Sequence, residues 1–245
     1  MKTHLSLFSG IGGLDLAAEA AGFTTVGQCE WADYPTKVLE KHWPDVPRWR
    51  DIRTLTGENF HERTGLRSVD IISGRFPCQP FSVAGKQKGK GDDRYLWPEM
   101  LRVIRELAPG WVLGENVPGI LRIAAGDVVA DLEREGYDVA VFDFEAAAVG
   151  AIHRRERVAF VAHSGSHRLE GGGQKKGRLP SNVQPPRILT ELLRQADEVY
   201  LRGSAILRKP HGLPHRVDRT RCLGNAVVPQ QFYPIFKAIM ETEEA

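Results

Sequence analysis

Three places in the 245-residue chain gather side chains able to do covalent chemistry. The first is Gly74-Arg75-Phe76-Pro77-Cys78-Gln79-Pro80-Phe81-Ser82. A cysteine framed by two prolines sits on a stiff loop, because proline fixes its own φ and restricts the residue before it. A free thiol titrates at about 8.5, and positive surroundings lower that value. Arg75 precedes Cys78, and Lys86, Lys88 and Lys90 follow on a Gly-rich stretch. A buried cysteine acting as a small hydrophobe is the commoner fate of this residue, but the polar flanks argue against it. The second place is Glu115-Asn116-Val117. A nucleophile beside a carboxylic acid is what attack on a polarised heterocycle requires. The third is His153-Arg154-Arg155-Glu156-Arg157. In an extended chain the two-residue period would aim Arg155 and Arg157 along one side. Two such guanidinium forks suit a phosphate or a base carbonyl, although a charged surface turn reads the same.

A different chemistry, ligand cradling, is written at Phe8-Ser9-Gly10-Ile11-Gly12-Gly13-Leu14. Glycines between a strand and a helix let backbone approach a ligand over the helix N-terminus. A dinucleotide site, a methyl-donor site and a plain tight turn look alike at this level. Glu30 follows about 20 positions on, the spacing at which an acid reaches ribose hydroxyls. Trp31 can cover an adenine face, and Asp51 with Ile52 can read an adenine amino edge. Together these favour an adenosine-containing ligand over ordinary surface acids.

These residues need a scaffold, and the pattern supplies one. Strands are expected at 5–8, 24–29, 69–73, 111–114, 137–144 and 158–162. Helices are expected at 14–21, 34–42, 96–107 and 128–135. Strands separated by helices of this length predict an α/β fold with a doubly wound, mostly parallel sheet. Reacting groups in such sheets collect at the carboxyl ends of the strands. Residues 1–162 therefore read as a catalytic and ligand-binding domain. Residues 163–215 read as a short irregular region, with a helix over 188–201. Residues 216–245 return to the first domain through a helix at 232–240.

Composition excludes several classes. The net charge is only +2, so a purely electrostatic polyanion binder is not expected. The charge is uneven: residues 163–221 hold 12 Lys and Arg against 5 Asp and Glu, which points to a polyanion partner for that stretch. A solvated linker is the bland alternative. Cys29, Cys78 and Cys222 are far apart and lack ligand spacing, so neither a disulfide framework nor a bound metal is expected. No apolar run approaches the roughly 18 residues of a membrane span. The N-terminus carries no signal-peptide pattern, so a cytoplasmic protein with no membrane contact is the expectation.

The ordered motifs resemble those of the DNA (cytosine-5) methyltransferases, over residues 3–162 and 211–240. Phe-Ser-Gly-Ile-Gly-Gly at 8–13 is similar to the family's methyl-donor loop. Phe-Pro-Cys-Gln-Pro-Phe-Ser at 76–82 resembles its nucleophile loop and is the most specific signal. Glu-Asn-Val at 115–117, Arg-Arg-Glu-Arg at 154–157 and Gly-Asn-Ala-Val-Val-Pro at 224–229 follow in the family's order. The resemblance implies a Rossmann-like, S-adenosyl-L-methionine-dependent fold with a small basic target-recognition region. It places the methyl donor, released as S-adenosyl-L-homocysteine, over Phe8, Ser9, Gly10, Ile11, Gly12, Gly13 and Leu14. Glu30, Trp31, Asp51, Ile52, Pro77, Leu96, Asn225 and Val227 would complete that site. Cys78 would be the nucleophile toward cytosine C6, Glu115 the proton donor at N3, Arg157 the holder of O2 and Arg155 a brace. Ser82, Lys86, Gln87, Lys88, Lys90 and Arg154 would touch duplex DNA. A monomer, with a cognate restriction enzyme as companion, is also implied. The chain departs from the pattern at Arg75, where the family usually has a small residue, and at His153, where glutamine is commoner. An RNA cytosine methyltransferase and a DNA-binding remnant remain rival readings.

Overall fold

The computed structural model describes residues 1–77, 95–151, 154–165 and 226–243. Seven strands form one sheet: β1 Thr3–Leu7, β2 Thr24–Cys29, β3 Arg48–Trp49, β4 Ile71–Gly74, β5 Trp111–Asn116, β6 Tyr137–Phe144 and β7 Arg157–Ser164. Their order is β3-β2-β1-β4-β5-β7-β6. β3, β2, β1, β4 and β5 run parallel, and β7 is antiparallel to both its neighbours. The helices are α1 Gly13–Ala20, α2 Asp33–His42, α3 Gly57–Thr64, α4 Trp97–Leu107, α5 Ile120–Ile123, α6 Ala125–Arg134 and α7 Pro229–Glu243. The doubly wound, mostly parallel sheet is as expected. None of the described helices is long and apolar enough to cross a membrane. The helix expected at 188–201 and nearly all of the basic stretch lie outside the described residues.

The two-residue strand period explains the two cores. Leu5, Leu7, Ile72, Val112 and Phe160 pack on one face with Trp97, Met100 and Ile104 of α4. Ile71, Trp111, Leu113, Ala159 and Val161 pack on the other with Leu14, Ala17 and Ala18 of α1 and Phe232, Phe236 and Ile239 of α7. β4 and β5 are buried along their whole length because helices cover both faces. Three elements were not expected: β3, α3 and the single turn α5. β3 has only two residues, too short for any period to show. α3 begins with a reciprocal cap, Thr56 with Asn59, and stops at Gly65 with φ 75°.

Two titratable groups lie in the α1/α7 side of β1. His4 is fully buried, with Nε2 2.7 Å from Ser73 Oγ and Nδ1 3.3 Å from Thr25 Oγ1. Burial pushes its pKa down from 6.5 to about 3. Asp15 of α1, also fully buried, accepts from Ser6 Oγ at 2.9 Å and Gln28 Nε2 at 2.8 Å. Burial pushes its carboxyl up from 3.8 to about 6 against those hydrogen bonds. The signs oppose. The unfolded chain binds more protons at His4, so that stabilisation is full above 6.5 and lost as pH falls towards 3. The native chain binds more protons at Asp15, so that contribution is full below 3.8 and lost as pH rises through about 6. We therefore expect His4→Gln to gain on the wild type by about 1.4 kcal/mol per pH unit as pH falls below neutrality. Urea unfolding at several pH values checks this; a pH-independent difference would refute it.

Candidate active site

The sheet register sets which residues meet. Trp49, Cys29, Leu7, Gly74 and Gly114 are aligned across β3, β2, β1, β4 and β5. Everything that follows this row emerges at one edge of the sheet: Asp51 and Ile52, Glu30 and Trp31, Phe8 to Gly13, Arg75 to Pro77, and Glu115 with Asn116. The winding reverses between β1 and β4, so the loop after β1 opens at that switch point.

The loop after β1 is tightly wound. Phe8, Gly10 and Gly12 all have positive φ, at 53°, 58° and 87°. Ser9 N–H donates to Cys29 carbonyl oxygen at 3.0 Å, and Gly12 N–H to Ser9 carbonyl oxygen at 3.0 Å. The Glu30 carboxylate clasps this loop to the end of β2. Its Oε2 accepts from Gly10 N–H and its Oε1 from Ala32 N–H, each at 2.8 Å. Each oxygen keeps a lone pair for a ligand hydroxyl. Trp31 beside it is 70% exposed, an unusual state for so large an apolar ring. Asp51 Oδ1 accepts from Arg53 N–H at 3.0 Å, and Ile52 is buried. A Cβ on Gly10 would meet nothing within 4 Å, whereas one on Gly13 would lie 2.6 Å from the Val227 carbonyl oxygen. Leu14 is buried against α7, Leu96 packs partly buried on the α4 side, and Pro77 is partly buried. An open face over Gly10, a carboxylate with spare acceptor capacity and an exposed indole fit an adenosyl ligand.

Glu115 on β5 is fully buried. Arg157 Nε lies 2.8 Å from its Oε1, and Arg75 Nε lies 3.1 Å from its Oε2. Each oxygen thus faces one guanidinium, in a buried ion pair. Burial pushes the carboxyl up from the ordinary range, and the charges of Arg75, Arg157 and Arg155 pull against that. Next to it, Asn116 Nδ2 donates to the Phe76 carbonyl oxygen at 3.1 Å. That bond ties the stem of the Pro-Cys loop to β5. Cys29, the described thiol, is buried, and burial pushes it up to about 12, which makes it inert at neutral pH.

The Arg-rich segment differs from the extended chain expected of it. β7 starts only at Arg157, and Arg155 is left-handed at φ 40°. Both guanidiniums nevertheless act on Glu115, because a turn, not a strand period, aims the first. Arg155 also donates to the Ala226 carbonyl oxygen. Gln231 of α7 donates to the Phe144 and Arg155 carbonyl oxygens, at 3.0 and 3.2 Å. Arg154 is exposed. Cys78, Ser82, Lys86, Gln87, Lys88, Lys90, His153 and Asn225 lie outside the described residues. The sequence assigns no role to Asn116 or Gln231, and it reads Arg75 as positive charge near Cys78, not as a partner of Glu115. Asn116 and Arg75 stand inside quoted motifs, so their positions were legible; nothing in the α7 pattern marks Gln231.

The parallel, doubly wound sheet with its loops at the carboxyl ends of the strands is a Rossmann-like fold. Residues 2–203 match the family of C-5 cytosine-specific DNA methylases, and the chain belongs to that family. It is 33% identical over 234 residues to Type II methyltransferase M.FnuDI of Fusobacterium nucleatum, covering 94% of this chain and 62% of that protein. It is 34% identical over 178 residues to Type II methyltransferase M.AquIA of Picosynechococcus, covering 66% of this chain and 72% of that protein. The chain thus spans less than two thirds of M.FnuDI. In fold it is similar to DNMT2 of Spodoptera frugiperda, with a TM-score of 0.66 at 17% identity, over 98% of this chain and 100% of that one.

Proposed function

We propose that the protein transfers a methyl group from S-adenosyl-L-methionine to C5 of cytosine in duplex DNA. The observation that carries this reading is Glu115: a fully buried carboxyl, ion-paired with Arg157 and Arg75, beside the stem of the Pro-Cys loop. Burial raises its proton affinity, as a donor to a ring nitrogen requires.

Phe8 to Leu14, Glu30, Trp31, Asp51, Ile52, Pro77, Leu96, Asn225 and Val227 would hold the methyl donor. Bound there, S-adenosyl-L-methionine supplies a methyl group made electrophilic by its sulfonium. The target base must leave the stack, at a cost of a few kcal/mol, for its C5 and C6 to be reached. The Cys78 thiolate attacks C6 while Glu115 protonates N3, which makes the ring electrophilic. Arg157 holds O2. C5 then carries the electron pair that takes the methyl. Loss of the C5 proton to a base expels Cys78 and leaves 5-methylcytosine. Ser82, Lys86, Gln87, Lys88, Lys90 and Arg154 would contact the DNA, phosphates above all, and fix its register. The basic region within 163–215 would face the same polyanion. A restriction enzyme of matching specificity would be the biological companion.

The test is bisulfite sequencing of DNA from cells expressing the wild type or Cys78→Ser. Protected cytosines at one sequence, present only with the wild type, are expected. Unmodified DNA from both, with methyl transfer into tRNA instead, would replace the DNA reading by the RNA one. No transfer to either would favour a binding remnant.

A further inference from the structure

The Glu115 clamp is asymmetric. Arg157 heads a strand, and its side chain is only 11% exposed; Arg75 stands on the connection leading to the Pro-Cys loop, and its side chain is 29% exposed. The Arg75 N–H donates to the Leu7 carbonyl oxygen at 3.3 Å. The charged groups that face Glu115 among the described residues are Arg75 after β4, Arg157 of β7 and Arg155 in the turn before it. Burial is the largest influence and pushes the carboxyl up, while the three guanidiniums pull it back towards its ionised form. Cytosine needs the other form. Its N3 is an acceptor and its exocyclic amine a donor, so the partner must offer one donor and one acceptor. A carboxylic acid does so; a carboxylate offers acceptors only. A guanidinium, which only donates, competes with the amine for the same oxygens.

We propose that Arg75 is a displaceable counter-ion: it biases Glu115 towards the carboxylate in the free protein, and the incoming cytosine replaces it, so that Glu115 takes a proton from solvent as the base docks. This rests on the reading of Glu115 as the donor to N3. Arg75 is then a positioning residue that acts through Glu115. It makes the acid appear only when a base is present to receive its proton, and it leaves Arg157 in place for O2.

The test follows the Glu115 carboxyl directly. The protein is labelled with glutamate carrying 13C at the carboxyl carbon and titrated by NMR. The resonance absent from Glu115→Gln identifies the group. In Arg75→Met the midpoint should rise by about one to three pH units. In Arg75→Lys, which keeps the charge, it should stay near the wild type. Arg75→Gln serves if methionine cannot be accommodated. A midpoint unchanged in the neutral variants overturns the proposal. Calorimetry in two buffers of different ionisation enthalpy, with a duplex carrying the site mapped by bisulfite, reads the displacement. The wild type should take up about one proton per bound site, and Arg75→Met markedly less when both are measured between their two midpoints. Equal uptake overturns the displacement. Failure of the underlying reading looks different: Glu115→Gln would methylate as fast as the wild type, whatever the titration of the carboxyl shows.

Discussion

Glu115→Gln should lower single-turnover methyl transfer into cytosine-containing duplex DNA by about 10²–10⁴-fold, the usual worth of a positioned general acid. The exchange keeps volume and shape, so β5 is not repacked. A glutamine amide can still hydrogen-bond N3, but it cannot protonate it, and the ring then stays a poor electrophile toward Cys78. The substitution also removes the counter-charge between Arg75 and Arg157. Breaking a buried ion pair by losing one partner costs about 3–5 kcal/mol. Arg75 is partly exposed and will be partly rehydrated, so the cost should fall below that range. Thermal unfolding and methyl-donor binding therefore have to accompany the rate. Folded protein that binds S-adenosyl-L-methionine normally and transfers slowly supports the role. Normal transfer by that same folded protein would sink it.

The second large effect separates two glycines in one loop. Gly12→Ala is expected to destabilise the protein by about 2–4 kcal/mol. Part of this is the left-handed backbone at φ 87°, about 1–2 kcal/mol for a residue with a Cβ. The rest is overlap: the Cβ would lie 2.5 Å from two atoms of the Trp43 ring. That ring cannot step aside freely, because its Nε1 donates to Glu19 Oε1 at 2.6 Å. Gly10→Ala carries only the backbone strain of φ 58°, since its Cβ would meet open space. Its expected cost is about 1–2 kcal/mol. Yet that open space is where the adenosyl ligand would lie, so Gly10→Ala should weaken S-adenosyl-L-methionine binding about tenfold or more. Chemical unfolding and equilibrium binding distinguish the two. Equal stability losses with unchanged Kd at Gly10 would place the ligand elsewhere.

Much of this was legible in the amino-acid sequence, for reasons that are local. Val112 and Leu113, or Ile71 and Ile72, must go to opposite faces because strand geometry leaves no choice. The glycines at 10 and 12 announce a backbone that other residues resist. What is short or long-range was not legible. β3 has too few residues to show a period. The Arg155 turn looks extended on paper, since nothing in Arg-Arg-Glu-Arg marks a left-handed residue. Gln231 is an ordinary helix residue until α7 is docked.

The sequence by itself determined which chemical groups exist and which elements carry them: a cysteine between prolines, a carboxyl ending a strand, paired arginines and a glycine loop. Tertiary structure alone decided which of them share an environment. The parallel register of β3, β2, β1, β4 and β5 brings five separate segments to one edge. The antiparallel return of β7 sets Arg157 against Glu115, residues 42 apart in sequence. Burial then fixes the acidity of that carboxyl, and burial is a property of everything packed around it. The identity of a side chain is local, but its proton affinity and its partners are not.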